Sequence, residues 1–488
     1  MEQCFIECSY SPVLMRVIIA GAGEVGRGVA AALRDESRSV ALIDPDPKSI
    51  NESQSLDCLL ITGNGLSRES LNRAGISDAE IIVFATNDDH VNLLGCSFAK
   101  RVYSEQVGDR AASGLIAIAL IRNSKITDFS SGAGPLEKWT RANHIVCPSE
   151  EIVEQLVSGI IAPSLNDVLP LGDNSWIAVS DVSKDSKLIG KTTGEDIKID
   201  EKIIAPKVYA MKDSDGKEII SKGDEIIQES DVLLFVTNST QSFSDISLSL
   251  GKIEFEMPSS PSVVIVGATS FGSRLAEYYL SKGSSVVIIE PNLDSANEIV
   301  GSQIGINKRL DVIHGDPQDE ELLKELDIDD FDIAISTLED DNLNISISMR
   351  AMDKGVNRTG LLLKDRALVE AVHRIGLTRP VSKRRVAITS ILKSIHMHVP
   401  GTYQRIPSMP SLVSISAIIS TNSGHISKSI TEIENELRVR VVMIERQSKD
   451  AILETIIPTP SQIIEANDRI YLILNINDIK KVENSLES

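Results

Sequence analysis

Apolar residues along this chain follow two rhythms. Runs rich in Val, Ile and Leu, such as VIIAG at 17–21, SVALID at 39–44 and IIVFA at 81–85, lack strict alternation. They fit strands buried on both faces. Between them lie stretches such as VGRGVAAAL at 25–33 and SRESLNRAGI at 67–76, whose apolar residues recur every three or four positions as in an amphipathic helix. Strand followed by helix, repeated, predicts βαβ crossovers and a parallel, doubly wound sheet. Further on the rhythm changes. SKLIGKT (186–192), PKVYAMKDSDGKEII (206–220) and KGDEIIQESDVLLFVTN (222–238) alternate apolar and polar residues around Gly and Asp turns, as short strands of a small α+β module do.

The whole pattern then recurs. VIIAGAGEVG at 17–26 is answered by VVIVGATSFG at 263–272, and SVALIDPD at 39–46 by SVVIIEPN at 285–292. Both pairs lie 246 residues apart, as Gly21 to Gly267 and Asp44 to Glu290 show. DCLLITGNG (57–65) and EIIVFATNDDHVN (80–92) are answered in the same order by LDVIHGDP (310–317) and DIAISTLEDDNLN (332–344). The second small module follows in GHISKSI, VRVVMIER and SQIIEANDRIYLILN, with Asp231 and Asp468 expected in equivalent turns before a strand. The expected organisation is a tandem A-B-A-B repeat. Two Rossmann-like parallel-sheet domains span 15–148 and 256–380, each followed by an α+β module, at 149–255 and 381–488. Residues 1–14 read as an N-terminal extension.

Composition narrows the function. At 488 residues with 42% hydrophobic and 24% charged positions, the chain has the make-up of a multi-domain globular protein. Seventy acidic against 49 basic residues leave a net charge of −21, a field that repels phosphate backbones and counts against nucleic acid as a partner. No stretch approaches the roughly 18 uncharged apolar residues of a spanning helix, so any membrane role is expected to be peripheral. Of the five cysteines, Cys58, Cys96 and Cys147 lie in apolar surroundings without metal-ligand spacing, and the odd number fits a reducing compartment; Cys4 and Cys8 could pair on a metal or as a disulfide but, with no second pair nearby, read as part of a surface tail.

The chemistry concentrates in the glycine loops. Gly21, Gly23 and Gly26 stand between a strand and a helix, where the first permits a tight turn, the second a close approach to a pyrophosphate and the third close helix packing. Ala22, Glu24 and Val25 complete the loop. Phosphates would face the positive end of the helix dipole, and Glu24 counts against a triphosphate. Asp44, 18 residues after Gly26, is placed to accept ribose hydroxyls, which favours NAD(H) over NADP. Gly63 and Asn64 are expected beside the adenine. Thr86 and Asn87, with Asp88, are expected near the second nucleotide, Asp88 serving equally well as a helix cap. In the second copy Gly267 and Gly272 remain, but Thr269 replaces the middle glycine, and Glu290 still offers a ribose acceptor. The LEDD stretch at 338–341 adds negative charge, so the second site is expected to bind dinucleotide weakly or not at all, serving as scaffold or accepting a smaller adenosine ligand.

Catalytic groups are scarce. His90 follows the fourth strand as a helix-start histidine, His144 and His314 sit at strand ends, and no Ser-His-Asp set, paired carboxylates or zinc spacing is present. No catalytic or metal site is assigned. The basic stretch 382–400 reads either as a contact for a partner or a neighbouring acidic surface or as an interdomain crossover helix with a solvated basic face.

The set GAGEVG, LIDPD, TGNG and ATNDDHVN, followed by LIGKT and KGDEIIQESDVLLFV and then duplicated, resembles the TrkA-type peripheral subunits of Trk/Ktr potassium uptake systems. These are built from RCK (KTN) nucleotide-binding domains and RCK C-terminal modules. The resemblance implies a non-enzymatic cytoplasmic regulator, peripheral on the inner membrane face, that assembles as a homo-oligomeric RCK ring. It would sense NAD(H), or ADP or ATP, and gate an integral-membrane potassium transporter. The alternatives are an NAD-dependent oxidoreductase on the same fold and an RCK-type regulator of a different ion transporter.

Overall fold

The computed structural model describes residues 16–108, 114–122, 126, 136–172, 175–194, 197–198, 203–239, 241–252, 257–374, 380–396, 403–421, 423–447 and 453–487. The N-terminal extension with Cys4 and Cys8 and the end of the basic stretch, 397–400, lie outside them. Two compact units divide the chain, the first reaching Val146 apart from residues 122–124, which group with the second, and the second running from Cys147 to the end.

In the first unit, strands β1 (Arg16–Ala20), β2 (Ser39–Asp44), β3 (Leu59–Thr62), β4 (Ala79–Phe84), β5 (Ile116–Leu120) and β6 (His144–Val146) form a parallel sheet in the order β3-β2-β1-β4-β5-β6. Helices α1 (Glu24–Asp35), α2 (Pro47–Asn51), α3 (Arg68–Arg73), α4 (Asp89–Val107) and α5 (Leu136–Thr140) provide the crossovers. The central strands are buried on both faces, as their unbroken Val/Ile runs require. Ile18, Ile43, Ile82, Phe84 and Ala117 lie in one of its core clusters.

The second unit opens with helix α6 (Ser149–Ile161). The first small module follows: β7 (Asp167–Gly172), β8 (Ser175–Asp181), the short pair β9 (Ile197–Lys198) and β10 (Ile204–Ala205), β11 (Val208–Lys212), β12 (Glu218–Ile220), β13 (Val232–Thr237) and helix α7 (Gln241–Ser249). Its main sheet has the order β12-β11-β13-β8-β7. The second Rossmann-like sheet repeats the first. Strands β14 (Ser262–Val266), β15 (Ser285–Glu290), β16 (Leu310–His314), β17 (Ile333–Ser336), β18 (Arg358–Leu363) and β19 (Pro380–Ser382) run in the order β16-β15-β14-β17-β18-β19. Its helices are α8 (Ser270–Ser281), α9 (Leu293–Val300), α10 (Glu320–Glu325), α11 (Asp341–Asp353) and α12 (Arg366–Arg374). Helix α13 (Lys383–Ile395) leads to the second module, made of β20 (Tyr403–Arg405), β21 (Leu412–Ile418), α14 (Ile430–Leu437), β22 (Arg440–Gln447), β23 (Leu453–Ile456), β24 (Arg469–Asn475) and α15 (Ile479–Glu487), with sheet order β20-β21-β24-β22-β23. Asp231 and Asp468 occupy the same turn, each accepting an amide three residues upstream, from Gln228 at 2.8 Å and Glu465 at 2.7 Å.

Helix α6 follows the first Rossmann sheet in the chain but fills the core of the second. Its stripe Ile152, Leu156, Val157 and Ile160 is buried with Val263, Ile265, Leu275, Tyr279 and Ile335. Gly360 on β18 permits the approach, since a Cβ there would stand 2.8 Å from Ile160 Cδ1. Buried Arg358 donates from Nη1 to the carbonyls of Ile160 and Ile161 at 2.7 and 2.8 Å, satisfying acceptors that the helix end leaves open. The two modules share a core in turn, with Leu169, Leu171, Tyr209 and Leu234 against Ile406, Val442, Tyr471 and Ile473. At its edge Asp167 accepts the amide of Ser408 at 3.0 Å and Glu218 that of Ser411 at 2.8 Å.

Replacing Ile160 by Ala removes a side chain with no solvent exposure from this junction. Urea unfolding should show a loss of about 3 kcal/mol. A second prediction concerns Glu225 in the first module. Burial would raise its carboxyl, but the Lys222 amide and the Thr193 and Ser221 hydroxyls hold it down at about 2. A depressed carboxyl stabilises the fold above its ordinary value and loses that contribution as pH falls towards 2. Glu225→Gln should therefore lower the unfolding midpoint at neutral pH, with the deficit shrinking as pH drops below about 4, followed by denaturation at a series of pH values.

Candidate functional site

The first crevice is built at the carboxyl ends of β1 to β4. Gly21 has φ +113°, and a Cβ there would stand 2.7 Å from the Ala85 carbonyl carbon, so the turn and the approach to β4 both require glycine. A Cβ on Gly26 would lie 1.8 Å from Gly21 O, which brings α1 flush against the loop. Gly23 differs from both. It is the N-cap of α1 in an extended conformation, has no side-chain cap bond, and a Cβ there would meet nothing within 4 Å. The space in front of the helix amides is open where a pyrophosphate would approach.

Asp44 ends β2 with one carboxylate oxygen accepting the Ala22 amide at 2.7 Å and the other the Asp46 amide at 2.8 Å. This fixes the acid against the glycine loop. Gly63 donates its amide to Asp44 O at 2.9 Å, and exposed Asn64 accepts the Leu66 amide at 2.8 Å in the turn after β3. Glu24 is exposed in the first turn of α1, one residue inside the helix, and Val25 is half-buried beside it. At the end of β4, Asp88 caps α4 by accepting the amides of His90 and Val91 at 2.8 and 3.1 Å, and those bonds hold its carboxyl below the usual range. Asn87 is exposed and Thr86 half-buried.

Two residues beyond the sequence expectations complete this crevice. Buried Asn92 accepts the Thr86 amide at 2.9 Å and its hydroxyl at 2.7 Å, and donates to Leu120 O at 2.9 Å, latching β4 to β5. Arg27 donates to Ala22 O at 2.8 Å and pairs with Glu52 at 3.0 Å, bracing the loop against the segment after α2. The repeated asparagine in ATNDDHVN and STLEDDNLN was the legible signal for the first. Asn344 makes the same bonds in the second copy, to Leu338 N and Leu362 O.

The second crevice keeps the framework and changes the mouth. Gly267 retains positive φ, and a Cβ on Gly272 would stand 2.0 Å from Gly267 O. Glu290 reproduces the Asp44 geometry, accepting the Ala268 amide at 2.5 Å and the Asn292 amide at 2.8 Å. Thr269 caps α8. Its hydroxyl accepts the Gly272 amide at 3.2 Å and pairs with the Thr337 hydroxyl at 2.9 Å. The helix start has no side-chain cap in the first copy, whereas here one of its amides is taken by the protein's own oxygen.

The charge expected from LEDD is redistributed. Leu338 is buried, Asp340 caps α11, and Asp341 accepts the amides of Lys364 and Asp365. Glu339 faces solvent, yet it is bridged by Lys364 at 2.6 Å and Lys383 at 3.3 Å, which neutralise it. Lys383 opens the basic helix α13, and its basic start is not fully solvated. Its ammonium lies 4.8 Å from the centroid of the Phe271 ring, and burial lowers its affinity for the proton.

Among the described residues no cluster of His, Cys, Asp and Glu is arranged to hold a metal ion, and no helix is long and apolar enough to cross a membrane. His90 is exposed on α4 beside Asp88. Cys96 is buried under the first sheet, which pushes its thiol up to about 12.

Known proteins share this arrangement. The family model of the TrkA-N domain matches residues 17–121 and again 263–383, and that of the TrkA-C domain matches 415–487. The chain belongs to the TrkA family. A Trk system potassium uptake protein TrkA from Azorhizobium caulinodans is 23% identical over 482 residues, covering 96% of this chain and 98% of that protein. A TrkA homolog from Methanosarcina mazei is 24% identical over 473 residues, covering 96% and 99%. Among solved structures, the GsuK channel bound to NAD superposes with a TM-score of 0.52 at 16% identity, over 98% of this chain and 80% of that one. The GsuK RCK domain gives 0.51 at 16% identity, over 98% and 96%. At that identity the likeness speaks for the fold.

Within this TrkA-family chain the two TrkA-N copies differ in who satisfies the helix start, and that difference is testable without ligand. Thr269→Ala should cost about 1 kcal/mol, as loss of an N-cap does, whereas Gly23→Ser should be neutral or slightly stabilising because it supplies a missing cap. Denaturant midpoints of the two variants measure this. A silent Thr269→Ala would mean that the threonine does not act as the cap.

Proposed function

We propose that this chain is a regulatory subunit of a potassium uptake system whose first TrkA-N domain senses NAD(H), while the second serves as scaffold. Its relatives are named Trk system potassium uptake protein TrkA along nearly their full length. The observation that carries the nucleotide reading is the open cap at Gly23 beside a carboxylate, Asp44, held at the end of β2. A dinucleotide placed there meets uncapped helix amides with its diphosphate and Asp44 with its adenosine ribose, while Gly63 and Asn64 flank the base. Asp44 would repel a 2′-phosphate, which favours NAD(H) over NADP. ADP fits the same half of the crevice and is the alternative effector.

The role needs no chemistry on the cofactor. A ligand that binds two arrangements of an assembly unequally shifts their populations by that difference alone. We place the subunit on the cytoplasmic face of the membrane, as a homo-oligomer against an integral-membrane potassium transporter. The second crevice, with Thr269 on its helix start, would bind dinucleotide weakly or accept a smaller adenosine ligand.

Because α6 completes the core of the second Rossmann domain, the tests belong in the full chain. Calorimetric titration with NADH should give one tight site. Gly23→Asp should abolish it with unchanged circular dichroism, and Asp44→Ala should weaken it and narrow the preference over NADPH. Two equal sites, or a Gly23→Asp variant that binds normally, would contradict the assignment. Potassium flux through vesicles containing the membrane subunit should then depend on this chain and on NADH, with the Gly23→Asp variant insensitive to NADH. Oxidation of NADH by the purified chain with a small carbonyl compound would support the oxidoreductase alternative instead.

A further inference from the structure

A cavity of about 510 Å³ lies in the second unit, walled by the crossover helices α6 and α13, the end of β7 and the sheet of the second module. Its size falls in the range of small-molecule sites, and no glycine-loop residue lines it. Its floor is polar in an unusual place. Glu445 on β22 stands opposite Arg469 on β24, and Tyr471 follows on the same face. Glu445 is 4% exposed and Tyr471 1% exposed. The Tyr471 hydroxyl lies beside the Glu445 carboxylate and the Arg469 side chain, and Tyr471 and Glu445 both rest against Gly172 of β7. A Cβ on Gly172 would stand 2.6 Å from Glu445 Oε1 and 2.8 Å from the tyrosine oxygen, so only glycine leaves these groups their place.

The first module supplies an internal control. By strand register, Lys212 and Val232 occupy the positions of Glu445 and Arg469, and Leu234 that of Tyr471. The same sheet therefore forms with apolar residues at two of the three positions. Burying a carboxylate here costs free energy that the fold does not require. Above this floor, α6 contributes Glu151 and Glu154 and α13 contributes Lys393. The lining thus carries both signs of charge, and a simple anion or cation would meet groups of its own sign as well as partners.

We propose that this cavity is a binding site for a small zwitterion of the amino-acid or betaine class, its carboxylate directed to Arg469 and Lys393 and its cationic group to the acidic side chains. The walls come from both crossover helices and both modules, so an occupant bridges the junction where the connectors meet and favours the arrangement that closes it. The site is independent of the nucleotide reading and stands whether or not NADH binds.

The test is calorimetric titration of the full chain with glycine betaine, L-proline and L-glutamine, which separates saturable binding from general solute exclusion. At least one should bind saturably, whereas acetate and methylammonium, each carrying one of the two charges, should not. Arg469→Val installs the residue that the first module carries at the same position and should weaken binding tenfold or more, as loss of a charged hydrogen bond predicts. Lys393→Gln should weaken it as well and provides the comparison if Arg469→Val perturbs the fold. No saturable zwitterion binding, equal binding of the single-charge compounds, or unchanged affinity in both variants would overturn the proposal.

Discussion

A helix start leaves backbone amides without partners, and what satisfies them decides the character of each half of this molecule. After β1 the chain presents Gly23, which brings no side chain to α1 and leaves space in front of it. After β14 it presents Thr269, whose hydroxyl takes the amide of Gly272 and is itself held by Thr337. Within a shared framework, the change from Gly23 to Thr269 goes with a change from a helix start without a side-chain cap to a self-capped one. The surrounding parts are so alike that they isolate the change. Asp44 and Glu290 grip their loops through the same amide bond, and Asn92 and Asn344 latch the same pair of strands.

The second copy also has a packing role. Helix α6 carries the apolar stripe that seals the second Rossmann sheet, with Gly360 shaped to receive it and Arg358 capping its end. The two modules bury one common core. Removing either module or the connecting helix would expose apolar surface, so the second Rossmann domain, its connectors and both modules stand or fall together.

Much of this was legible in the sequence because it depends on local pattern. The unbroken Val/Ile runs, the repeated glycines and the repeated acid after the second strand predict two parallel sheets of the same order, and the turn aspartates Asp231 and Asp468 lie where their matching segments place them. What escaped depends on tertiary contact. A stripe such as Ile152, Leu156 and Ile160 announces burial but not its partner, and it lies against the following sheet. The LEDD charge could not be weighed without Lys364 and Lys383, which reach it from elsewhere in the chain. The basic helix hid the burial of Lys383 on Phe271. The polar floor at Glu445, Arg469 and Tyr471 shows only when register aligns it with Lys212, Val232 and Leu234.

The central claim, that one crevice is open to a dinucleotide and the other is closed by its own threonine, is tested most directly by amide hydrogen exchange on the full chain with and without NADH. The account predicts that NADH slows exchange across residues 22–27 and leaves 268–273 unchanged, with the Gly272 amide already protected in the free protein. Equal protection of both loops by NADH, or of the second alone, would contradict it.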